Sequence, residues 1–90
     1  MSTKSVRWSD LKSARLKQAR GVSFEEILNA NKVGRLEHAN RPGQSLYLYE
    51  YHGYIWVVPY VETEFEIFLK TLYPSRKYTK LYREGKTWPK

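Results

Sequence analysis

The sequence predicts an α+β fold with two N-terminal helices, a three- to four-stranded antiparallel sheet arranged as a meander, and a short C-terminal helix. Three observations predict it. Two helix-start signals, at Ser9 and Ser23, come early in the chain. Two strand-like runs, 45–51 and 54–61, then flank a two-residue turn. Ser75 follows a proline and can cap a last helix.

The length of 90 residues fits one domain over 1–90, and no repeat, linker or low-complexity tract divides it. We expect 1–5 and 86–90 to be frayed ends. A chain this short buries only a modest share of its surface. Its eight Tyr and three Trp therefore supply much of the bulk for the core.

The first helix is predicted from Asp10 to about Arg20, with Ser9 as its N-cap, after an extended opening segment at 6–8. Gly21 ends this helix, because a left-handed C′ residue is favourable only without a Cβ.

The second helix has the stronger start signal. Ser23 and Glu26 form a capping box, and Val22 and Ile27 form a hydrophobic staple around it. We expect this helix to be short and to end near Asn31.

The strands follow from residue 35. Residues 35–38 are a predicted short strand, closed by the turn-rich 40–43. His52-Gly53 joins the next two strands as a hairpin turn. Residues 65–72 are the predicted third long strand, and Pro74 stops it. The final helix runs from Ser75 through Arg83.

The hairpin divides its side chains between two faces. The turn places Tyr51 opposite Tyr54, Tyr49 opposite Trp56, and Leu48 opposite Val57. What we call the aliphatic face carries Leu46, Leu48, Ile55 and Val57. The aromatic face carries Tyr47, Tyr49, Tyr51, Tyr54, Trp56 and Tyr60.

We expect the aliphatic face to pack against the two N-terminal helices. A three-residue turn at 62–64 would add Ile67 and Leu69 to it and place Phe68 and Lys70 on the aromatic face. A two-residue turn would reverse that assignment. The aromatic face could then stack nucleobases, or its tyrosines could pack beneath the last helix.

Charge supplies the first functional signal. The formal net charge is +7, and the basic residues gather in 4–20 and from residue 70 onward. This favours a polyanionic partner. There is no cysteine, so disulfides and thiolate chemistry are excluded. We expect no cofactor, no metal site and no membrane segment, and a cytoplasmic protein.

Three segments in order resemble the BrnT family of bacterial toxins, which share the fold of RelE-like RNA interferases. They are Val6-Arg7-Trp8 with Lys12, the junction Arg20-Gly21-Val22-Ser23-Phe24-Glu25-Glu26, and Leu72-Tyr73-Pro74-Ser75-Arg76-Lys77-Tyr78-Thr79-Lys80. The family often has His where Arg20 stands, Asp where Ser9 stands, and a small residue where Pro74 stands.

The resemblance implies a toxin that cleaves RNA and is inhibited by a cognate antitoxin, for which the ribbon-helix-helix class is the candidate. Promoter DNA would be bound only through the antitoxin complex. Arg76 takes the position of the family's functional arginine and Lys77 that of its basic neighbour. As helix N-cap, Ser75 places both in a first turn that favours an anion.

Metal-independent RNA cleavage also needs a base for the 2′-hydroxyl and an acid for the leaving oxygen. The candidates for the base are His38, His52, Glu62, Glu64, Glu66, Tyr73 and Tyr78, and His38 and Tyr73 rank first. The predicted RNA-binding residues are Lys70, Lys80, Arg20, Trp56 and Tyr49.

Two alternatives to a metal-independent endoribonuclease toxin stay open. One is a non-catalytic basic module that binds nucleic acid. The other is a toxin that acts by binding a protein target.

Overall fold

The computed structural model describes residues 4–37 and 43–86. The elements in chain order are β1 (Ser5–Arg7), α1 (Asp10–Arg20), α2 (Phe24–Leu28), β2 (Asn31–Glu37), β3 (Gln44–Tyr51), β4 (Tyr54–Glu62), β5 (Glu66–Leu69), β6 (Tyr73–Pro74) and α3 (Arg76–Arg83). The predicted α+β class is confirmed. Residue 38 and most of the predicted turn at 40–43 lie outside the described residues.

The helix boundaries follow their caps. The Ser9 hydroxyl accepts a hydrogen bond from the Lys12 N–H, and Gly21 adopts the left-handed conformation with φ 81°. The Ser23 capping box is present as predicted. The second helix ends at Leu28, earlier than expected, because the chain turns at Asn29 to enter β2.

Within the described residues the sheet has six strands, where three to four were expected. Strands β5, β4, β3 and β2 lie in that order, β1 adds to β5 in parallel, and β6 pairs with β4. The predicted strand 65–72 is shorter than expected and covers only β5, and Pro74, the expected stop, lies in β6. Both strands follow one edge of β4 and are separated by 70–72. The Lys70 N–H still donates to the Pro59 carbonyl at 2.8 Å.

The predicted hairpin register is confirmed, with Tyr51 opposite Tyr54 and Tyr49 opposite Trp56. His52 and Gly53 both have positive φ, 52° and 78°, as a tight primed turn requires.

The prediction of which face meets the N-terminal helices is wrong. The aromatic face packs against Leu16, Val22, Phe24 and Ile27 of α1, α2 and the junction between them. The aliphatic face forms a separate, smaller cluster of Leu48, Ile55 and Val57 beneath Tyr78 of α3. Both faces are apolar, so alternation alone could not show which one the helices cover.

The preferred turn length after β4 is also wrong. Glu62 pairs with Ile67, which leaves four residues, 63–66, in the turn. The Thr63 hydroxyl closes it by accepting from the Glu66 N–H at 3.1 Å. An even number of turn residues places Ile67 and Leu69 on the aromatic face and Phe68 on the aliphatic face.

Candidate nucleic-acid interface

The first turn of α3 is fixed to the edge of β4. The Ser75 N–H donates to the Ile55 carbonyl at 2.9 Å. The Thr79 hydroxyl accepts from the Ile55 N–H at 2.8 Å and donates to the Ser75 carbonyl at 2.6 Å. The Ser75 hydroxyl caps the helix by accepting from the Tyr78 N–H. These contacts position the start of α3 rigidly beside the sheet.

One side of α3 is basic and borders an open cavity of about 460 Å³. Arg76, Lys80 and Arg83 follow the helical spacing i, i+4, i+7 and therefore share this side. The residues that line the cavity are Tyr54, Arg76, Thr79, Lys80, Arg83 and Glu84. The arrangement is a row of three cations beside a half-buried tyrosine ring.

The hairpin tip closes one end of this cavity. Arg83 Nη2 donates to the Gly53 carbonyl at 3.2 Å and so joins the last turn of α3 to the turn between β3 and β4. Arg76 at the other end is exposed. The exposed end of the row therefore lies at the start of the helix. There the backbone N–H groups of the first turn have no carbonyl acceptor within the helix, and the helix dipole favours an anion.

A second group of polar side chains lies at the start of α3 on the aliphatic face. Lys77 Nζ is 5.6 Å from the centre of the Tyr78 ring. Burial raises the pKa of the Tyr73 phenol, and the nearby Tyr78 adds to the rise. The phenol therefore stays protonated at neutral pH, which argues against Tyr73 as the base.

The sequence matches no protein-family profile and no curated protein. The chain resembles the solved structure of the ribonuclease toxin BrnT of Brucella abortus. The match covers 81% of this chain and 97% of that one, with a TM-score of 0.53 and 16% sequence identity. The fold is BrnT-like. At this identity the likeness establishes the fold, and the roles of individual residues must come from the geometry of this chain.

The fold places the three predicted carboxylate bases away from the start of α3. Glu62, Glu64 and Glu66 lie at or beyond the far end of β4, where Glu62 pairs with Lys4 Nζ at 2.7 Å. His52 lies at the hairpin tip with its ring centre 4.2 Å from that of Tyr51. His38 lies outside the described residues.

The predicted RNA-binding residues are scattered. Lys80 lines the cavity and Lys70 is exposed just after β5. Arg20 Nη1 donates to the Leu72 carbonyl, so this guanidinium joins α1 to the segment between β5 and β6. Trp56 and Tyr49 are 9% and 3% exposed in the core against the helices. Their burial leaves no ring face for a nucleobase, which argues against the expected stacking role.

Among the residues that line the cavity, the sequence did not single out Tyr54, Thr79, Arg83 and Glu84. Arg83 could have been found from its spacing, because it follows Arg76 and Lys80 on the same helical side. Tyr54 and Glu84 carried no such signal, since only the docking of α3 on β4 brings them to the cavity.

A further polar group at the β2 edge was also missed. Arg35 Nε donates to the buried Tyr60 hydroxyl at 2.6 Å, and Tyr60 stacks on Tyr47 with ring centres 4.0 Å apart. Lys32 Nζ lies 4.0 Å from the centre of the Tyr47 ring. Burial, then hydrogen bonding to Tyr60, raises the pKa of Tyr47 to about 12. These contacts stabilise the sheet at its edge.

Within residues 4–37 and 43–86, no three His, Asp or Glu side chains lie close enough to hold a metal ion. None of the helices in these ranges has the length and apolar character needed to cross a membrane.

Proposed function

We propose that this protein is a metal-independent endoribonuclease that acts as the toxin of a toxin–antitoxin pair, cleaving mRNA and arresting growth. The observation that carries the proposal is the basic side of α3, where Arg76, Lys80 and Arg83 border an open cavity whose exposed end is a capped helix start. The likeness to a ribonuclease toxin supports it at the level of fold.

The proposed reaction is an intramolecular transesterification at one phosphodiester of the RNA. The 2′-oxygen attacks the neighbouring phosphorus, and the bond from phosphorus to the 5′-oxygen breaks. The products are a 2′,3′-cyclic phosphate and a 5′-hydroxyl. One proton leaves the 2′-hydroxyl and one is added to the 5′-oxygen, so no metal or co-reactant is needed for balance.

The start of α3 supplies the groups that this reaction needs most. Arg76 binds the phosphate oxygens and stabilises their charge in the transition state, with Lys77 beside it. Tyr73, whose phenol is protonated at neutral pH, donates the proton to the 5′-oxygen. Lys80 and Arg83 bind the backbone phosphates that follow along the cavity.

Two residues are candidates for the base. His38 is the imidazole that the sequence favours. Glu84 has the carboxylate that lines the cavity, although it also pairs with Lys86 Nζ at 3.3 Å. His38→Ala and Glu84→Gln, compared for the pH dependence of cleavage, distinguish the two.

The partners follow from the same proposal. The substrate is RNA, and the inhibitor is a cognate antitoxin with a ribbon-helix-helix protein as the candidate. The antitoxin alone would contact promoter DNA. The toxin would act in the cytoplasm. A small adjacent gene for such an antitoxin, whose product relieves growth arrest, is the expected genetic finding.

The test is cleavage of a labelled RNA by purified protein in excess EDTA. We expect Arg76→Ala to lower the rate about 10²- to 10³-fold, as loss of one transition-state donor does elsewhere. Arg15→Ala, which removes the same charge from an exposed position on α1, is the matched control and should cleave normally. A 2′-deoxy substitution at the scissile nucleotide should block the reaction.

A non-catalytic RNA-binding module is the second candidate. It is favoured by the distance of Glu62, Glu64 and Glu66 from the start of α3. Under that reading the wild type would bind RNA and leave it intact at every protein concentration. Intact RNA, or equal rates for the Arg76 and Arg15 variants, would rule out the proposed catalytic role of Arg76.

A further inference from the structure

Phe68 and Tyr73 are unusually exposed for aromatic side chains of a sheet, at 36% and 37%. Phe68 lies opposite Val61, and Tyr73 lies opposite Val57. Because Val57 and Val61 are four residues apart on β4, both rings lie on the aliphatic face, about 13 Å apart along the strand. The part of this face along β5 and β6 therefore presents aromatic surface beyond the cluster that Tyr78 covers.

Basic side chains accompany this line of aromatic rings. Arg7 on β1 is the register partner of Phe68 in parallel pairing, so the two share a face. Lys70 is exposed two residues beyond Phe68, and Lys77 is exposed at the start of α3. The acidic residue nearest to Phe68 along the strand is Glu66, whose register partner on β1 is Ser5. Cations thus lie near both rings and between them, while Glu66 shares this face at the outer end of the line.

We propose that Phe68 and Arg7 form a subsite for an unpaired nucleobase of single-stranded RNA. The base stacks on the Phe68 ring, and Arg7 binds the adjoining phosphate. Lys70 contacts the RNA backbone between this subsite and Tyr73 at the start of α3. The choice of RNA as the ligand rests on the proposed function, but the subsite concerns binding and does not require that the RNA is cleaved.

The chemistry of the surface favours RNA over a protein partner. Sequence-tolerant binding of single strands combines aromatic platforms with cations that follow the backbone, and this surface has both. Lysine is instead depleted at the centre of protein interfaces. Stacking on Phe68 requires a base with a free face, which a duplex does not offer. The spacing of about 13 Å along β4 between the register positions of Phe68 and Tyr73 far exceeds the ~3.4 Å step between stacked bases, so the base on Phe68 is not the one at the scissile phosphate.

Fluorescence anisotropy with 2′-O-methyl RNA tests the subsite, because such RNA can bind but cannot be cleaved. Oligonucleotides from about 4 to about 16 nucleotides span the range of single-strand site sizes. We expect Phe68→Ala to raise the Kd about 5- to 150-fold for the longer ones, and to leave the shortest, which bind only at α3, unaffected. Arg7→Ala should weaken binding and reduce the salt dependence by about one phosphate contact.

Two matched controls separate the subsite from general effects. Phe65→Ala removes a ring that is 78% exposed in the turn before β5, and Arg15→Ala removes one charge from α1. Phe68→Leu keeps apolar bulk but removes the ring, so it should lose most of the affinity without loss of thermal stability.

A scan with single abasic nucleotides adds a direct test. The wild type should bind less tightly when the abasic nucleotide stands at one particular position of the RNA. Phe68→Ala should bind that RNA as tightly as it binds the intact RNA. The subsite is refuted if Phe68→Ala binds like Phe65→Ala at every length, or if the abasic penalty persists in the Phe68 variant. If RNA binds in this way but stays intact when cleavable, the subsite stands and the endoribonuclease proposal fails. If RNA is cleaved and neither binding nor cleavage depends on Phe68, the subsite fails and the endoribonuclease proposal stands.

Discussion

The two faces of the sheet differ in what covers them and in how their side chains are stabilised. The aromatic face packs against α1 and α2 and contains Trp56 and Tyr60, which are 9% and 0% exposed. The aliphatic face is covered by α3 only around Leu48, Ile55 and Val57. The larger side chains, with polar atoms at their tips, are thus the buried ones.

The composition of the helices explains this arrangement. Among the residues of α1, only Leu16 and Ser13 are buried, and α2 buries only Phe24 and Ile27. Two helices with so few large apolar residues leave a wide gap above the sheet, and long aromatic side chains fill it. The tips find partners at the rim, as the Tyr60 hydroxyl does with Arg35. The aliphatic face, with a smaller cover, keeps its outer strands available for a ligand.

The largest expected effect is a difference in stability between the two faces. Trp56→Ala should lower the free energy of unfolding by about 3–5 kcal/mol, because it leaves a cavity in the core beneath α1 and α2. Phe68→Ala, on the partly exposed face, should cost about 1–2 kcal/mol. Urea denaturation of both variants measures this difference. Equal losses would mean that the two faces are packed equally well.

A smaller effect separates two tyrosine hydroxyls. Tyr60→Phe removes the acceptor for Arg35 Nε and should cost about 1 kcal/mol, at the low end for a charged partner because Arg35 is exposed to solvent. Tyr73→Phe should change stability by less than about 0.5 kcal/mol while slowing RNA cleavage. A Tyr73 variant that loses stability but not activity would assign Tyr73 to packing.

The smallest effect depends on pH and tests the contact between α1 and α2. A hydrogen bond from Lys17 and the capping interaction with Ser23 hold the pKa of Glu26 below its ordinary 4.5. A lowered folded-state pKa stabilises the protein above pH 4.5, and this contribution is lost as the pH falls from 4.5 through the lower folded value. Glu26→Gln should therefore lower the Tm at pH 7 and match the wild type at strongly acidic pH.

Glu25→Gln is the control for that experiment, since it removes the same charge from the same helical turn of α2 without breaking the capping box. A Tm difference for Glu26→Gln that stays constant down to low pH would show that the carboxylate charge is not the source of the stabilisation.

Local signals predicted much of the fold because they depend on neighbouring residues. The caps at Ser9, Ser23 and Ser75 begin three helices as expected, and His52-Gly53 sets the hairpin register. The turn after β4 was missed because the Thr63 hydroxyl, rather than a glycine, closes it. Strand β1 was expected only as extended chain, since its partner β5 lies about 60 residues further along.

Part of the candidate site was also predictable from spacing between neighbouring residues. Arg76 and Lys80 came from the sequence, and helical spacing places both on one side of α3. Tyr49 and Trp56 were assigned to RNA because their rings suit stacking, yet they fill the core. Phe68 was placed on the wrong face, because a change of one residue in the turn length reverses every side chain that follows.

The sequence by itself determined where the helices start, how β3 pairs with β4, and which side chains share a face. Those features depend on backbone geometry over a few residues and on the alternation of a strand. Only the tertiary structure decided which face the helices cover, because both faces are apolar and either could be buried. It also decided that Tyr54 and Glu84 join the basic side of α3, since they meet it only when the helix docks on the edge of β4.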